Sequence, residues 1–158
     1  MSDQPYRLLL IEDSYAEIRL IEEAIKEAGI KDTVELKPLQ NPELVMETLQ
    51  EQFEIGQLPD LVLLDLNMPR MHGLEVLKMV KSEKEFVEIP VYILTNSDNK
   101  MDMAECYEAK ADGYVQKPTD FHQFVAFFTA LKKSIELKDR ISVLYLDKFY
   151  QEALKMAM

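Results

Sequence analysis

Apolar residues gather in five short blocks: Tyr6–Glu12 (YRLLLIE), Val34–Leu39 (VELKPL), Leu61–Leu66 (LVLLDL), Val91–Thr95 (VYILT) and Gly113–Gln116 (GYVQ). The first, third and fourth are nearly unbroken, the mark of strands covered on both faces. Pro38 lacks a backbone donor and moves the second block toward a sheet edge. Between the blocks the apolar positions repeat with helical period. Ile18, Ile21, Ala24, Ile25 and Ala28 share a face of a helix over 16–28, and Gly29 offers its stop. Asn41-Pro42 opens a second helix with a cap and a first-turn proline, followed by Leu44, Val45, Thr48 and Leu49. A third, over 73–82, carries Leu74, Leu77 and Val80, and a polar fourth, over 98–109, carries Met101, Met103, Ala104 and Tyr107. The fifth, over 119–137, carries Phe121, Phe124, Val125, Phe128, Leu131 and Ile135, with Thr119 or Asp120 as its cap.

Strand and helix thus alternate five times. Alternation of this kind predicts an α/β fold, a parallel sheet with helices on both faces joined by right-handed crossovers. Function in such sheets sits beyond the carboxyl ends of the strands. No linker rich in Gly, Ser or Pro divides the chain. After Leu137 a polar break, Lys138-Asp139-Arg140, leads into a last stretch in which Leu146, Phe149, Tyr150, Ala153, Leu154 and Ala157 follow helical spacing. The expected organisation is one domain over 1–137 and a helical extension over 138–158 that is too short to be an independent domain.

The strand ends carry the chemistry. Glu12 and Asp13 close the first block, Asp65 the third, Thr95 the fourth, and Lys117-Pro118 follow the fifth. Each alone has an ordinary reading: a strand-end Asp commonly caps a helix, and a strand-end Thr or Lys is commonly surface. Together they put three carboxylates, a hydroxyl and an ammonium at one edge of the sheet. Clustered carboxylates repel one another and call for a cation. An all-oxygen donor set without His or Cys suits a hard ion, Mg²⁺ above others. A carboxylate beside such an ion, a lysine and a hydroxyl is suited to accept a phosphoryl group, a reaction that needs in-line positioning and charge neutralisation more than covalent help.

Composition narrows the partners. The chain has 158 residues and a formal net charge of -11, with the acidity concentrated before residue 132. Such a surface is repelled by nucleic acid and by anionic membranes, which leaves proteins and metal ions as partners. No apolar run reaches the length of a membrane span, and the N-terminus is acidic where a secretory signal would be basic, so the reading is cytoplasmic. The single cysteine, Cys106, excludes an internal disulfide and a thiolate zinc site; a lone, partly buried thiol is ordinarily inert.

In the segments LLLIEDS (8–14), LVLLDLNMPRMHG (61–73), VYILTNS (91–97) and ADGYVQKP (111–118), the sequence resembles the CheY-like receiver domains of two-component response regulators. The likeness covers about residues 5–135, and the DLNMPR stretch is similar to small regulators that partner phytochromes. The resemblance implies a doubly wound, flavodoxin-like sheet of strand order 2-1-3-4-5. It implies that Asp65 accepts a phosphoryl group from a phosphohistidine on a sensor histidine kinase or phosphotransfer protein. Asp13 and Asp65 would ligate Mg²⁺ together with the backbone carbonyl of Asn67, with Glu12 acting through water. Thr95 and Lys117 would bind the phosphoryl group, and the Lys117–Pro118 bond would be cis. Thr95 and Tyr114 would form the switch, and the fourth and fifth helices the output face. Enzymatic activity would be limited to self-phosphorylation and slow self-dephosphorylation.

Some positions depart from the common receiver pattern. Asn96 follows Thr95 where a small residue is usual, and His72 stands where Asp is usual. Neither His72 nor His122, the only histidines, is placed to relay a phosphoryl group. Two other readings compete. A haloacid-dehalogenase-type phosphohydrolase also uses a strand-end Asp, but needs a second acid two residues later, where this chain has Asn67. A phosphorylation-independent adaptor of receiver shape would be expected to lose acceptor or metal residues, which are all present here. For the extension, packing onto its own domain stands beside a homodimer contact made with the fourth and fifth helices and a docking surface for the kinase.

Overall fold

The structure is a computed structural model that describes residues 4–137 and 146–157. Five strands form one parallel sheet in the order β2-β1-β3-β4-β5. In chain order the elements are β1 (Tyr6–Ile11), α1 (Tyr15–Glu27), β2 (Val34–Leu39), a 3₁₀ turn (Pro42–Leu44) leading into α2 (Val45–Glu54), and β3 (Leu61–Leu64). There follow α3 (Gly73–Ser82), β4 (Val91–Thr95), α4 (Lys100–Glu108), β5 (Gly113–Gln116), α5 (Phe121–Glu136) and α6 (Leu146–Ala157). The expected order 2-1-3-4-5 is the observed one, and β2, with Pro38, lies at an edge.

The continuous apolar strands are buried on both sides. In β1, Leu8 and Leu10 face one core while Leu9 and Ile11 face the other, and β3 and β4 divide in the same alternating way. The first core packs Ile18, Ile21 and Ala24 of α1 and Phe124, Phe127, Phe128 and Leu131 of α5 on the sheet. The second packs Val45 and Leu49 of α2, Val76, Leu77 and Val80 of α3 and Cys106 of α4. Cys106 is more deeply buried than its polar helix suggested, and burial pushes its thiol up to about 11, out of reach of ordinary thiolate chemistry.

Helix starts follow local hydrogen-bond chemistry. Ser14 caps α1, Asn41 the 3₁₀ turn, Asn99 α4 and Asp120 α5, each side chain accepting from a backbone N–H two or three residues on. The cap at Asn99 starts α4 two residues later than the sequence pattern placed it. His72 caps α3, its Nδ1 accepting from the Leu74 N–H at 3.2 Å, and so serves as an acceptor in the place of the usual Asp.

The extension folds back. Leu146 and Tyr150 are buried in the α1/α5 core, with Phe149, Ala153 and Leu154 packed against it. The Tyr150 ring meets Phe127 edge-on, centroids 5.4 Å apart, and Lys133 lies 4.7 Å over the Phe149 ring. The apolar face of α6 thus packs on its own chain. This packing also explains why Phe127 and Phe128, adjacent on α5, are both buried: the helix is covered by the sheet and by α6. The polar break at 138–140 lies outside the described residues.

Tyr150→Ala should therefore lower stability by about 3 kcal/mol, the scale for removing a buried aromatic ring. Met156→Ala, at a position 88% exposed, should stay within about 0.5 kcal/mol. Urea unfolding of the full chain measures both; an unmoved curve for Tyr150→Ala would mean that α6 adds nothing to the fold.

Candidate functional site

Sheet register assembles the site. Ile11 of β1 pairs with Leu64 of β3, so the next residues, Glu12 and Asp65, emerge side by side at the carboxyl edge. The chain turns from β1 toward β2 on one side and reaches β3 on the other, and that reversal opens the crevice in which doubly wound sheets place their ligands. On the far side Thr95 pairs with Gln116, which sets Lys117 beside Thr95; the Lys117 N–H donates to the Thr95 carbonyl at 2.6 Å.

Glu12, Asp65, Thr95 and Lys117 are all buried, and Asp13 is partly open to solvent. A carboxylate oxygen from each of Glu12, Asp13 and Asp65 lies within 4.8 Å of the others, close enough to hold one metal ion. The donor set is all oxygen, the side of Asp13 is accessible, and the arrangement fits a hard divalent cation. The Lys117 ammonium sits among the carboxylates, 2.8 Å from Glu12 Oε2, 3.5 Å from Asp65 Oδ2 and 3.8 Å from Glu17 Oε2. Burial pushes the Glu12 carboxyl above its ordinary range, against the pull of Lys117. For Lys117 burial acts downward, but the hydrogen bond to Glu12 and the charges of Asp65, Glu12 and Glu17 outweigh it and hold the ammonium above its ordinary value. The lysine is therefore a fixed positive charge.

Around Asp65 the backbone is tightly tied. Asp65 Oδ1 accepts from the Asn67 N–H at 3.3 Å, and the Leu66 carbonyl accepts from the Gly73 N–H at 2.9 Å. The Asn67 side-chain amide donates to Thr95 Oγ1 at 3.4 Å, which also accepts from the Ser97 N–H at 3.4 Å. The Thr95 O–H is then left to be donated elsewhere. Tyr114 is turned in, its hydroxyl donating to the Ser97 carbonyl at 3.0 Å, and Ser97 Oγ donates to Asp102 of α4 at 2.6 Å. A chain of contacts accordingly joins Asn67, Thr95, Ser97 and Tyr114 to α4.

The residues expected to act together are together, with one correction. The Lys117–Pro118 bond is trans, not cis; there is no cis peptide among the described residues. The trans form is intrinsically favoured before proline, and with it Lys117 already reaches Glu12 and Asp65. Sequence reasoning passed over Glu17. Its carboxylate reaches Lys117 from the first turn of α1, and the available signal was its spacing, one helical turn beyond Asp13.

Fold and site together define a receiver-type phosphoacceptor domain. The response regulator receiver domain matches residues 8–129, and the chain belongs to that family. It is 39% identical to the response regulator Rcp1 of Synechocystis sp. over 118 residues, 73% of this chain and 79% of that protein. Among solved structures it is similar to the phosphorylated cyanobacterial phytochrome response regulator RcpA, at 30% identity and TM-score 0.73, covering 82% of this chain and 93% of that one. The Mn²⁺-bound form of Rcp1 is similar at 34% identity and TM-score 0.70, with the same coverage. Receiver domains of this family work with histidine kinases or phosphotransfer proteins and bind Mg²⁺ at an acidic pocket. No helix among the described residues is long and apolar enough to cross a membrane.

Gly73 sets a limit on this site. A Cβ there would run into the Asp65 carbonyl oxygen and lie 2.7 Å from the Leu66 Cα, both backbone atoms that cannot swing aside. Gly73→Ala should cost roughly 2 kcal/mol or more in urea unfolding and shift the amide resonances of residues 65–67; a neutral result would show that this loop is loosely held.

Proposed function

We propose that Asp65 accepts a phosphoryl group from a phosphohistidine on a sensor kinase or phosphotransfer protein, and that the chain signals by contact with another protein. The observation that carries this reading is the trio Glu12, Asp13 and Asp65 within 4.8 Å, with the Lys117 ammonium 3.5 Å from Asp65. An Asp65 oxygen attacks phosphorus in line as the bond to the imidazole nitrogen breaks, and the imidazole leaves with the electron pair. Asp13, Asp65 and the Asn67 carbonyl would hold Mg²⁺, with Glu12 acting through water; the ion supplies neutralisation of charge on the transferring group. Lys117 pairs with a phosphoryl oxygen and Thr95 donates its O–H to another. Slow attack by water on phosphorus returns the carboxylate and inorganic phosphate.

Phosphorylation adds close to two negative charges and three strong acceptors. As Thr95 shifts to bring its free O–H to one of them, its contacts with Asn67 and Ser97 shift with it, and Ser97 is tied to Tyr114 and α4. Thr95 and Tyr114 thus form a two-state element with different contacts in each state, which a signal requires. The face of α4 and α5 carries the output, and α6 acts as a structural part of the domain. Likeness to Rcp1 and RcpA supports a phytochrome-type kinase as the donor, acting in the cytoplasm. The phosphohydrolase alternative lacks its acid: the Asn67 amide has no proton to give a leaving alcohol and donates instead to Thr95.

Incubation with acetyl phosphate and Mg²⁺ should add one phosphoryl mass to the intact protein. The adduct should vanish with a chelator and in Asp65→Asn. An adduct that persists in Asp65→Asn would place the acceptor elsewhere, and a failure to form one even with a phosphohistidine donor would favour the adaptor reading.

A further inference from the structure

Glu17 is the third residue of α1 after the cap Ser14, and Ser14-Tyr15-Ala16-Glu17 is the pattern in which the glutamate ordinarily turns back to the backbone N–H of the cap. Here that N–H is already taken, donating to Glu12 Oε1 at 3.1 Å. The Glu17 N–H donates to Ser14 Oγ at 3.3 Å, but its side chain runs toward the strand ends. There Oε2 is buried without a hydrogen-bond partner, 3.8 Å from Lys117 Nζ. The side chain as a whole is 31% exposed, but Oε2 itself is enclosed with Lys117 as its nearest cation, so a closer approach of that ammonium would supply the donor it lacks.

Lys117 supplies that donor. The ammonium has three protons; Glu12 at 2.8 Å and Asp65 at 3.5 Å engage it, and Glu17 Oε2 lies 3.8 Å away. Glu17 is not among the carboxylates positioned to share a metal ion. On the proposed function, a cation held by Glu12, Asp13 and Asp65 neutralises the groups that now hold the lysine, and Glu17 becomes the anion still unpaired. We propose that Glu17 is a positioning residue that receives the Lys117 ammonium when the metal site fills and competes for it with the incoming phosphoryl oxygen. It lowers the affinity of the site for a phosphoryl group without touching that group.

The test is equilibrium binding of beryllofluoride, a non-covalent phosphoryl mimic, at saturating Mg²⁺, followed by ¹⁹F NMR on the full chain. Urea midpoints confirm that each variant is folded. Glu17→Gln should tighten binding about fivefold, the scale of a partly exposed ion pair. Glu17→Asp keeps the charge but withdraws the carboxylate by about 1.5 Å, one bond length, and should tighten binding to a similar degree. In the wild type, the Lys117 side-chain resonance should move on adding Mg²⁺ alone. Unchanged binding in both variants overturns the proposal, as does weaker binding. Tightening in Glu17→Gln with Glu17→Asp at the wild-type value also overturns it, since the effect would then be the field of a charge and not a contact. A wild type that binds no beryllofluoride with Mg²⁺ overturns the proposed function itself, and this inference with it.

Discussion

Three carboxylates delivered to adjacent strand ends repel one another, and two of them are buried. Lys117 is what makes that arrangement tolerable. Its ammonium lies within 4 Å of Glu12, Asp65 and Glu17, and their charges keep it positive despite burial. Removing one partner of such a group leaves an uncompensated charge in a poorly solvated place, a far larger penalty than losing an exposed ion pair. The other features of the carboxyl edge lie close by: the Asn67 amide on Thr95 Oγ1 and Tyr114 turned in beside Ser97.

The same balance describes a site held in readiness. Lys117 lies against Asp65, and the Asn67 amide donates to Thr95 Oγ1. On the proposed function, Lys117 trades a carboxylate for a phosphoryl oxygen and the Thr95 O–H gains an acceptor. A change of state is then largely an exchange of partners among buried polar groups.

Much of the fold and the site is legible in the sequence. The strands could be read because burial on both faces leaves them almost wholly apolar, and Pro38 marked the edge. The site could be read because a parallel sheet delivers its strand ends to one place, so Glu12, Asp13, Asp65, Thr95 and Lys117 did not need to be close in sequence. Glu17 was not read because a glutamate three residues after a serine has a local duty to the helix, and nothing in the sequence says that Glu12 has taken that duty over. His72 was read as a departure when its ring nitrogen does the work of the missing carboxylate at the start of α3. Phe127 was overlooked because one apolar stripe was assigned to α5, while α6 covers a second side of it. In each case the missing knowledge was tertiary: which of two competent groups would claim a given hydrogen bond or surface.

The docking of α6 bears on where this protein begins and ends as a unit. The receiver-domain match ends at residue 129, within α5, whereas Leu146 and Tyr150 are buried in the core that this helix shares. A version cut at the family boundary would uncover the Phe127 ring and the apolar side of α5, and would be a poorer domain than the whole chain, prone to stick to other surfaces for reasons unrelated to signalling.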